Sequence, residues 1–488
     1  MLGRFFKDSA IYAVAGVLSQ GISFLLFPFL AHHFKPHAYG VIDIIGLVTT
    51  IAYLTVALEI NQGLGRYFTE ARDEPERVSL ASTALIFTIG AYLATAAITL
   101  PLAGPITRAL FDPSVDPWVL RVAIIGIFAG GVLYVAQDQL RWRMRKRAYA
   151  SVSVILALVT TATTALLVLG FHVGVIGAII GQLAGTVAAL LVVFGVSWRS
   201  YTARFDRAKF RTMLAFSLPL VPASVGVFLN SFADRLAVLQ TKSLSAVGVY
   251  GVGFRIATVM TLLLVGFQGA ALPLLMERHR DESTPAEFAR IFRVFAALTL
   301  ALFVAVSLFA DFFVHVLAAP EYRGADVVVP YMLMAALLFG AYVFAPGLWV
   351  AKRMRPAAVI SVVAGLLNLG LAFALTPSLG IRGAGIATAA SSGFYFGLSM
   401  LLSQRHYRVP HNWVRLALAA GISIGAVAAG RAFLPIGGGH AVAAGALLAK
   451  AAVSVLTISV IGVALFTRGE VVALAGAARH WVRRVPRG

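Results

Sequence analysis

About fourteen stretches of this 488-residue chain are apolar and long enough to cross a lipid bilayer, and that limits the fold more than any other feature. A hydrocarbon layer about 30 Å thick takes roughly 20 helical residues at a rise of about 1.5 Å each. Runs of that kind fall near 9–33, 41–63, 80–100, 118–137, 150–170, 174–197, 213–239, 245–270, 291–317, 328–350, 356–376, 382–403, 413–434 and 443–466. Inside lipid every backbone polar group needs an internal partner, so runs of this length are helices. The expected fold is an all-α integral membrane protein. Charged residues make up only 12% of the chain and hydrophobic residues 60%, a balance far from that of a soluble domain. The apolar run after Ser9 is too long for a cleaved leader and reads as a first span.

The net charge of +20 at first suggests nucleic acid. Its distribution argues for topology instead. About thirty of the basic residues lie at the amino terminus, in the loops after even-numbered spans and in the carboxyl tail, with clusters at Arg141–Arg147 and Arg199–Arg211. Both termini are therefore expected on the cytoplasmic side. The tail from Arg468 alternates apolar residues with arginines and is expected to lie along the anionic leaflet. No nucleic-acid partner is expected.

A weak internal repeat is visible. Ser9, Ser23, Ala38 and Gly40 match Ser217, Ser231, Ala246 and Gly248 at one offset, and Gly174, Gly177, Ala178 and Ile180 match Gly380, Gly383, Ala384 and Ile386 at one two residues shorter. Six helices per unit give parallel repeats about an axis along the membrane normal. The expected architecture is two pseudo-symmetric six-helix lobes around a central cavity, residues 1–205 and 206–404, followed by two further helices and a basic tail over 405–488.

Several charges fall inside spans, where they persist only when they face water or one another. Arg255 stands about 15 Å into its helix, near mid-bilayer. A cation there suits an anionic group, because a guanidinium stays ionised and donates paired hydrogen bonds; an intramembrane ion pair with Asp234 is the structural alternative. Arg235 either binds the same anion or snorkels outward. Asn230 and Asp234 share a helix face and Asn368 sits mid-span, as cavity lining or helix packing. Glu59, Asn61, Gln62 and Arg66 cluster at the end of the second span, where Arg66 suits a head-group entry. Asp43, Glu59 and Asp234 are candidates for coupling to a proton or cation. Lys450 reads as a snorkelling residue outside any pathway, and His32, His33 and His37 as solvated loop residues.

Enzymatic readings find little support. The chain has no phosphate-binding loop ending in Lys-Ser/Thr, no histidine pattern with metal-ligand spacing and no cysteine. No catalytic role, metal or cofactor is expected.

The order of Tyr39-Gly40, Arg66-Tyr67-Phe68 with Glu70, Leu218-Pro219-Leu220-Val221-Pro222, Asp234-Arg235, Gly248-Val249-Tyr250, Glu321-Tyr322, Lys352-Arg353, Asn368 and Gly380 to Thr388 resembles the polysaccharide-export flippases. These are relatives of the O-antigen flippases, in a superfamily that also holds multidrug and toxic-compound extruders. Similar proteins often carry a second Asn after the one matching Asn368; here that region reads Leu371-Ala372-Phe373. The resemblance implies alternating-access transfer of a polyprenyl-diphosphate-linked oligosaccharide across a bacterial inner membrane, for O-antigen, lipopolysaccharide or exopolysaccharide synthesis. The implied partners are that lipid-linked glycan, membrane lipids, and polysaccharide polymerase and ligase proteins. The alternatives are a cation-coupled multidrug extruder and a non-transporting scaffold of a polysaccharide assembly complex.

Overall fold

A computed structural model describes residues 2–265, 267–268, 281–351, 353–434, 444–466 and 470. These residues are helical with no strand among them. The first half comprises α1 (Leu2–His33), α2 (Pro36–Thr55), α3 (Ile60–Glu70), α4 (Glu74–Thr99), α5 (Ala103–Leu110), α6 (Pro117–Trp142), α7 (Lys146–Ala165) and α8 (Val175–Ser197). The second comprises α9 (Arg207–Ser217), α10 (Val221–Thr241), α11 (Leu244–Ala257), α12 (Thr284–Leu308), α13 (Ala310–Leu317), α14 (Val329–Gly340), α15 (Gly347–Val350), α16 (Met354–Leu379) and α17 (Ile381–His406). The last two are α18 (Trp413–Phe433) and α19 (Ala444–Leu465). Thirteen helical segments are long and apolar enough to cross a membrane, and α1, 32 residues long, precedes them.

Packing divides these helices into two lobes. α7 lies along α8 and α1, and α6 along α8 and α4. α10 lies along α16, and α17 along α16 and α14. α18 and α19 pack on each other and on α12. Small residues permit the closest approaches, as expected where helix association in lipid depends on van der Waals contact. A Cβ on Gly226 would fall 2.6 Å from the Val362 nitrogen, and one on Gly383 2.4 Å from the Leu375 carbonyl oxygen.

Several expected spans are interrupted; the run 245–270 is broken after Ala257 and the run 291–317 at Phe309, between α12 and α13. The run 41–63 is helical only to Thr55; Leu58 and Glu59 then take φ of 50° and 53°, and α3 leaves as a separate helix. The left-handed backbone at two non-glycine residues is costly. It turns Glu59 inward, to 5% exposure, against Ser224 and Gln62. The run 213–239 breaks around Pro219 and Pro222, where α9 passes through a 3-10 turn into α10. The run 328–350 bends at Pro346 between α14 and α15.

Lys450 does not snorkel. It is 1% exposed and its Nζ lies 2.6 Å from Asp311 at the start of α13. Arg431 on α18 reaches Asp326 at 2.6 Å and the Ser307 carbonyl at 3.1 Å. Two ion pairs therefore fix α18 and α19 to the second lobe. His37 binds Asp112, His33 stacks on His172 with centroids 5.7 Å apart, and the His32 Nδ1 lies 2.8 Å from the Pro28 carbonyl, so all three outer-loop histidines have protein partners. The basic tail lies outside the described residues except for Glu470, which accepts from Arg293 at 2.7 Å.

Candidate functional site

The lobes meet most closely where α2 and α11 begin. A Cβ on Gly40 would fall 2.1 Å from the Leu244 carbonyl oxygen, and one on Gly248 1.9 Å from that of Pro36. Gly40 and Gly248 are repeat counterparts, and so are Pro36 and Leu244: each helix buries its glycine against the other's first turn, a reciprocal contact about a local two-fold axis. Beside it the Ala319 amide donates to the Ala31 carbonyl at 3.1 Å and the Tyr322 hydroxyl to that of Phe34 at 2.8 Å. This end of the interlobe space is shut.

One turn further along α2, Asp43 lies against Gly251, its own repeat counterpart, whose missing side chain leaves it room. Asp43 accepts from the Arg235 Nε at 2.8 Å. Arg235 is 2% exposed, so it neither snorkels nor offers itself to a ligand. Its second carboxylate is Asp234, at 3.3 Å, and its guanidinium sits 4.0 Å from the centroid of the Phe254 ring with Phe232 and Tyr250 close by. Asp234 is completely buried and accepts further from the Tyr250 hydroxyl and, at 2.9 Å, from Thr388. Thr388 is 3.3 Å from the Asn368 side-chain oxygen, while the Asn368 amide donates to the carbonyls of Leu229 and Asn230. Charge-assisted bonds of this kind are strong when desolvated, and a network with its members satisfied rigidifies its surroundings.

Arg255 behaves differently. The ion pair with Asp234 does not form, because Arg235, Tyr250 and Thr388 occupy that carboxylate. Arg255 is exposed, lies beside Tyr39 and makes no ion pair among the described residues. It stands just below the shut end.

The remaining candidates sit in the first lobe. Asn61 is 3% exposed and donates to Asp138, which also pairs with Arg141 at 3.1 Å. Arg66 is exposed, 3.7 Å from Glu70, with its guanidinium 4.7 Å from the centroid of the Phe216 ring. The structure thus brings Asp43, Asp234, Arg235 and Asn368 into one network, which Asn230 joins only through its backbone carbonyl while its side-chain oxygen is buried without a partner among the described residues, and leaves Arg255 next to it, with Glu59 and Arg66 elsewhere. Sequence reasoning missed Tyr250 and Thr388 as partners of Asp234. It also missed the pairing of Asp43 with Arg235; the signal was available, since these are opposite charges in spans that the repeat makes neighbours.

Comparisons with known proteins bear on the family and the fold. The EPS I polysaccharide export inner membrane protein EpsE of Ralstonia nicotianae is 26% identical, with 89% of this chain and 88% of that protein covered. Among solved structures, the lipid II flippase MurJ in an inward closed conformation matches with a TM-score of 0.72 at 13% identity, covering 93% of this chain and 98% of that one. An inward-facing multidrug resistance transporter of the MATE family matches at 0.66 and 14% identity, covering 79% and 94%. These two likenesses show the fold. The family profile described as polysaccharide biosynthesis protein matches residues 29–325, from the end of α1 through the α2–α11 crossing and the Asp43–Arg235 pair. The chain belongs to that polysaccharide biosynthesis protein family.

Proposed function

We propose that this protein is a flippase that carries a polyprenyl-diphosphate-linked oligosaccharide from the cytoplasmic to the outer leaflet of a bacterial inner membrane, both termini being cytoplasmic. The observation that carries the reading is Arg255, an exposed guanidinium hydrogen-bonded to Tyr39, with no ion pair among the described residues, well inside an apolar span. Such a charge costs about 2.5–3.5 kcal/mol on insertion scales and is retained where it serves an ion or substrate path. A diphosphate needs a fixed cation with planar donors, and the lipid tail needs none. Arg235 keeps its donors for Asp43 and Asp234, so it acts by holding the lobes together, while Arg66 at the opposite end suits first capture of the head group.

With the α2–α11 end shut, the substrate would enter from the side bearing the basic clusters. Opening the crossing and closing the other end would deliver it outward. Asp43, 22% exposed in its side chain and facing Arg235, is the carboxylate best placed to release that pair on protonation. A second reading, the cation-coupled multidrug extruder, draws support from the likeness to the MATE-family transporter. It would need a carboxylate open to a cationic drug, whereas Asp234 is enclosed and Asp43 is engaged.

The test is the sidedness of lipid-linked oligosaccharide, read with a membrane-impermeant glycan label. Arg255→Ala is expected to trap it on the cytoplasmic leaflet and to abolish surface polysaccharide. Normal export in that variant, at normal protein level, would remove the diphosphate role of Arg255.

A further inference from the structure

The first lobe carries a second polar surface that the charged network does not use. Tyr53 on α2 and Tyr134 on α6 stack with their rings 8° from parallel and centroids 6.5 Å apart. The pair exists because α6 has a glycine beneath it: a Cβ on Gly130 would fall 1.7 Å from the Tyr53 hydroxyl oxygen, so no other residue lets the ring lie there. Next to Tyr53, between α2, α6 and α8, runs a mostly apolar slot, with Ile45, Ile127, Ile179 and Leu183 in its lining, whose polar side chains besides Tyr53 are Thr49, Gln182 and the buried Thr186. The two threonine hydroxyls donate to carbonyls of their own helices, at 2.8 Å each, which leaves their oxygens able to accept. Gln182 is exposed, with no side-chain partner among the described residues, and Tyr134 is 39% exposed.

An exposed amide and phenol are expensive against hydrocarbon. The Tyr134 hydroxyl lies beside the buried Asn61, near Asp138 and Glu59, so its polar end is anchored in a buried polar cluster while part of the side chain stays exposed. The surface itself is neutral, since Tyr53, Tyr134, Thr49, Gln182 and Thr186 carry no charge. Two parallel aromatic faces with amide and hydroxyl groups at their edge match one class of ligand, a sugar ring. The axial C–H bonds of a pyranose pack on an aromatic face while its hydroxyls turn to the polar rim.

We propose that Tyr53 and Tyr134 form a platform for a pyranose ring of the transported glycan, with Gln182 and the half-buried Thr49 bonding its hydroxyls. The slot itself has a volume of only ≈ 10 Å³, room for about one water, so the ring lies across the tyrosine pair and not inside the slot. The proposal rests on the flippase reading and refines it: the diphosphate end belongs to Arg255 and the sugar end to this platform.

The experiment uses the full-length protein in nanodiscs and two probes. One is the oligosaccharide released by mild acid from the host cell's own lipid-linked pool, without diphosphate; the other is polyprenyl diphosphate without sugar. Tyr134→Ala and Gln182→Ala, both at exposed positions, are expected to weaken oligosaccharide binding at least tenfold and to leave polyprenyl diphosphate binding within twofold. Arg255→Ala is expected to do the reverse, and Tyr53→Phe, which keeps the ring, to stay near wild type on both. Oligosaccharide binding that is unchanged in Tyr134→Ala and Gln182→Ala, or lost together with diphosphate binding, overturns the platform alone. A wild-type protein that binds neither probe overturns the flippase reading beneath it.

Discussion

Removing Asp43 tests whether the bond between the lobes governs the shut end. In Asp43→Ala, Arg235 stays buried at 2% exposure with Asp234 as its one carboxylate, at 3.3 Å instead of the 2.8 Å bond it has lost. Taking one partner from a buried ion pair costs about 3–5 kcal/mol when the remaining charge is left alone. Here Asp234 and the rings of Phe254, Phe232 and Tyr250 still face the guanidinium, and Asp43 is partly exposed. About 2 kcal/mol is the appropriate size, a factor of about 30 in an equilibrium constant. Asp234 and Arg235 are neighbours on α10, so the second lobe keeps its internal pair and the loss falls on closure between lobes.

The chain has no cysteine, which makes the measurement clean. A pair at Ala31→Cys and Ala319→Cys flanks the backbone bond that joins the lobes at 3.1 Å. Direct disulfide crosslinking of the two thiols under a mild oxidant reports the shut population, since Ala31 is fully buried there. Asp43→Ala is expected to raise the ratio of open to shut molecules about 30-fold. Arg235→Met should do the same, and the double variant should add little to either. Crosslinking unchanged in Asp43→Ala, or effects of the two substitutions that simply add, would refute the pairing as a latch.

Gly248→Leu places a side chain where even a Cβ would stand 1.9 Å from the Pro36 carbonyl oxygen. It is expected to abolish the Ala31–Ala319 crosslink and transport while the protein is still made and inserted; crosslinking at wild-type rate would show that the crossing does not seal this end. His411, in the connection before α18, rests against Phe292 and Trp413 with both ring nitrogens buried and unbonded, and burial pushes its imidazole down to about 4. The folded state thus favours the neutral ring, so stability is complete above the ordinary value near 6.5 and falls as the pH drops from there toward 4. By pH 5 the loss is about 2 kcal/mol, and His411→Phe should flatten the acid side of the thermal unfolding profile; an unchanged profile would mean that the ring already finds a partner when protonated.

The helical architecture was legible in the sequence because one solvent, hydrocarbon, imposes one rule on every run. The two-lobed plan was legible for a related reason: duplicated helices keep small residues at the same offset where the copies touch. What escaped was local and depended on contacts between distant segments. The inward turn at Leu58 and Glu59 has no glycine to announce it, since tertiary packing holds two ordinary residues in a left-handed conformation. Lys450 looked like a snorkelling residue because its partner, Asp311, is far away in the chain. Depth in the helix favoured Arg255 over Arg235 as the anion-binding cation, but it could not show that Arg235 is enclosed instead of snorkelling outward. Their difference lies in which neighbours carry a carboxylate: Asp43 and Asp234 face Arg235, and neither pairs with Arg255.

The Gly40–Gly248 crossing has a mechanical consequence. A contact that each helix makes with the other's first turn lies on the rotation axis relating the lobes. Once the Asp43–Arg235 pair and the Ala31–Ala319 and Phe34–Tyr322 bonds are released, the two bodies can roll apart about it through equal and opposite angles without either one sliding along its helix axis. The crossing then serves as seal and bearing together, and its tolerance is set by the absence of two Cβ atoms. A substitution in one half cannot be absorbed by a change in the same half, because the surface that must yield is the backbone of the other. Two glycines on opposite sides of a gene duplication are thereby bound to one fate.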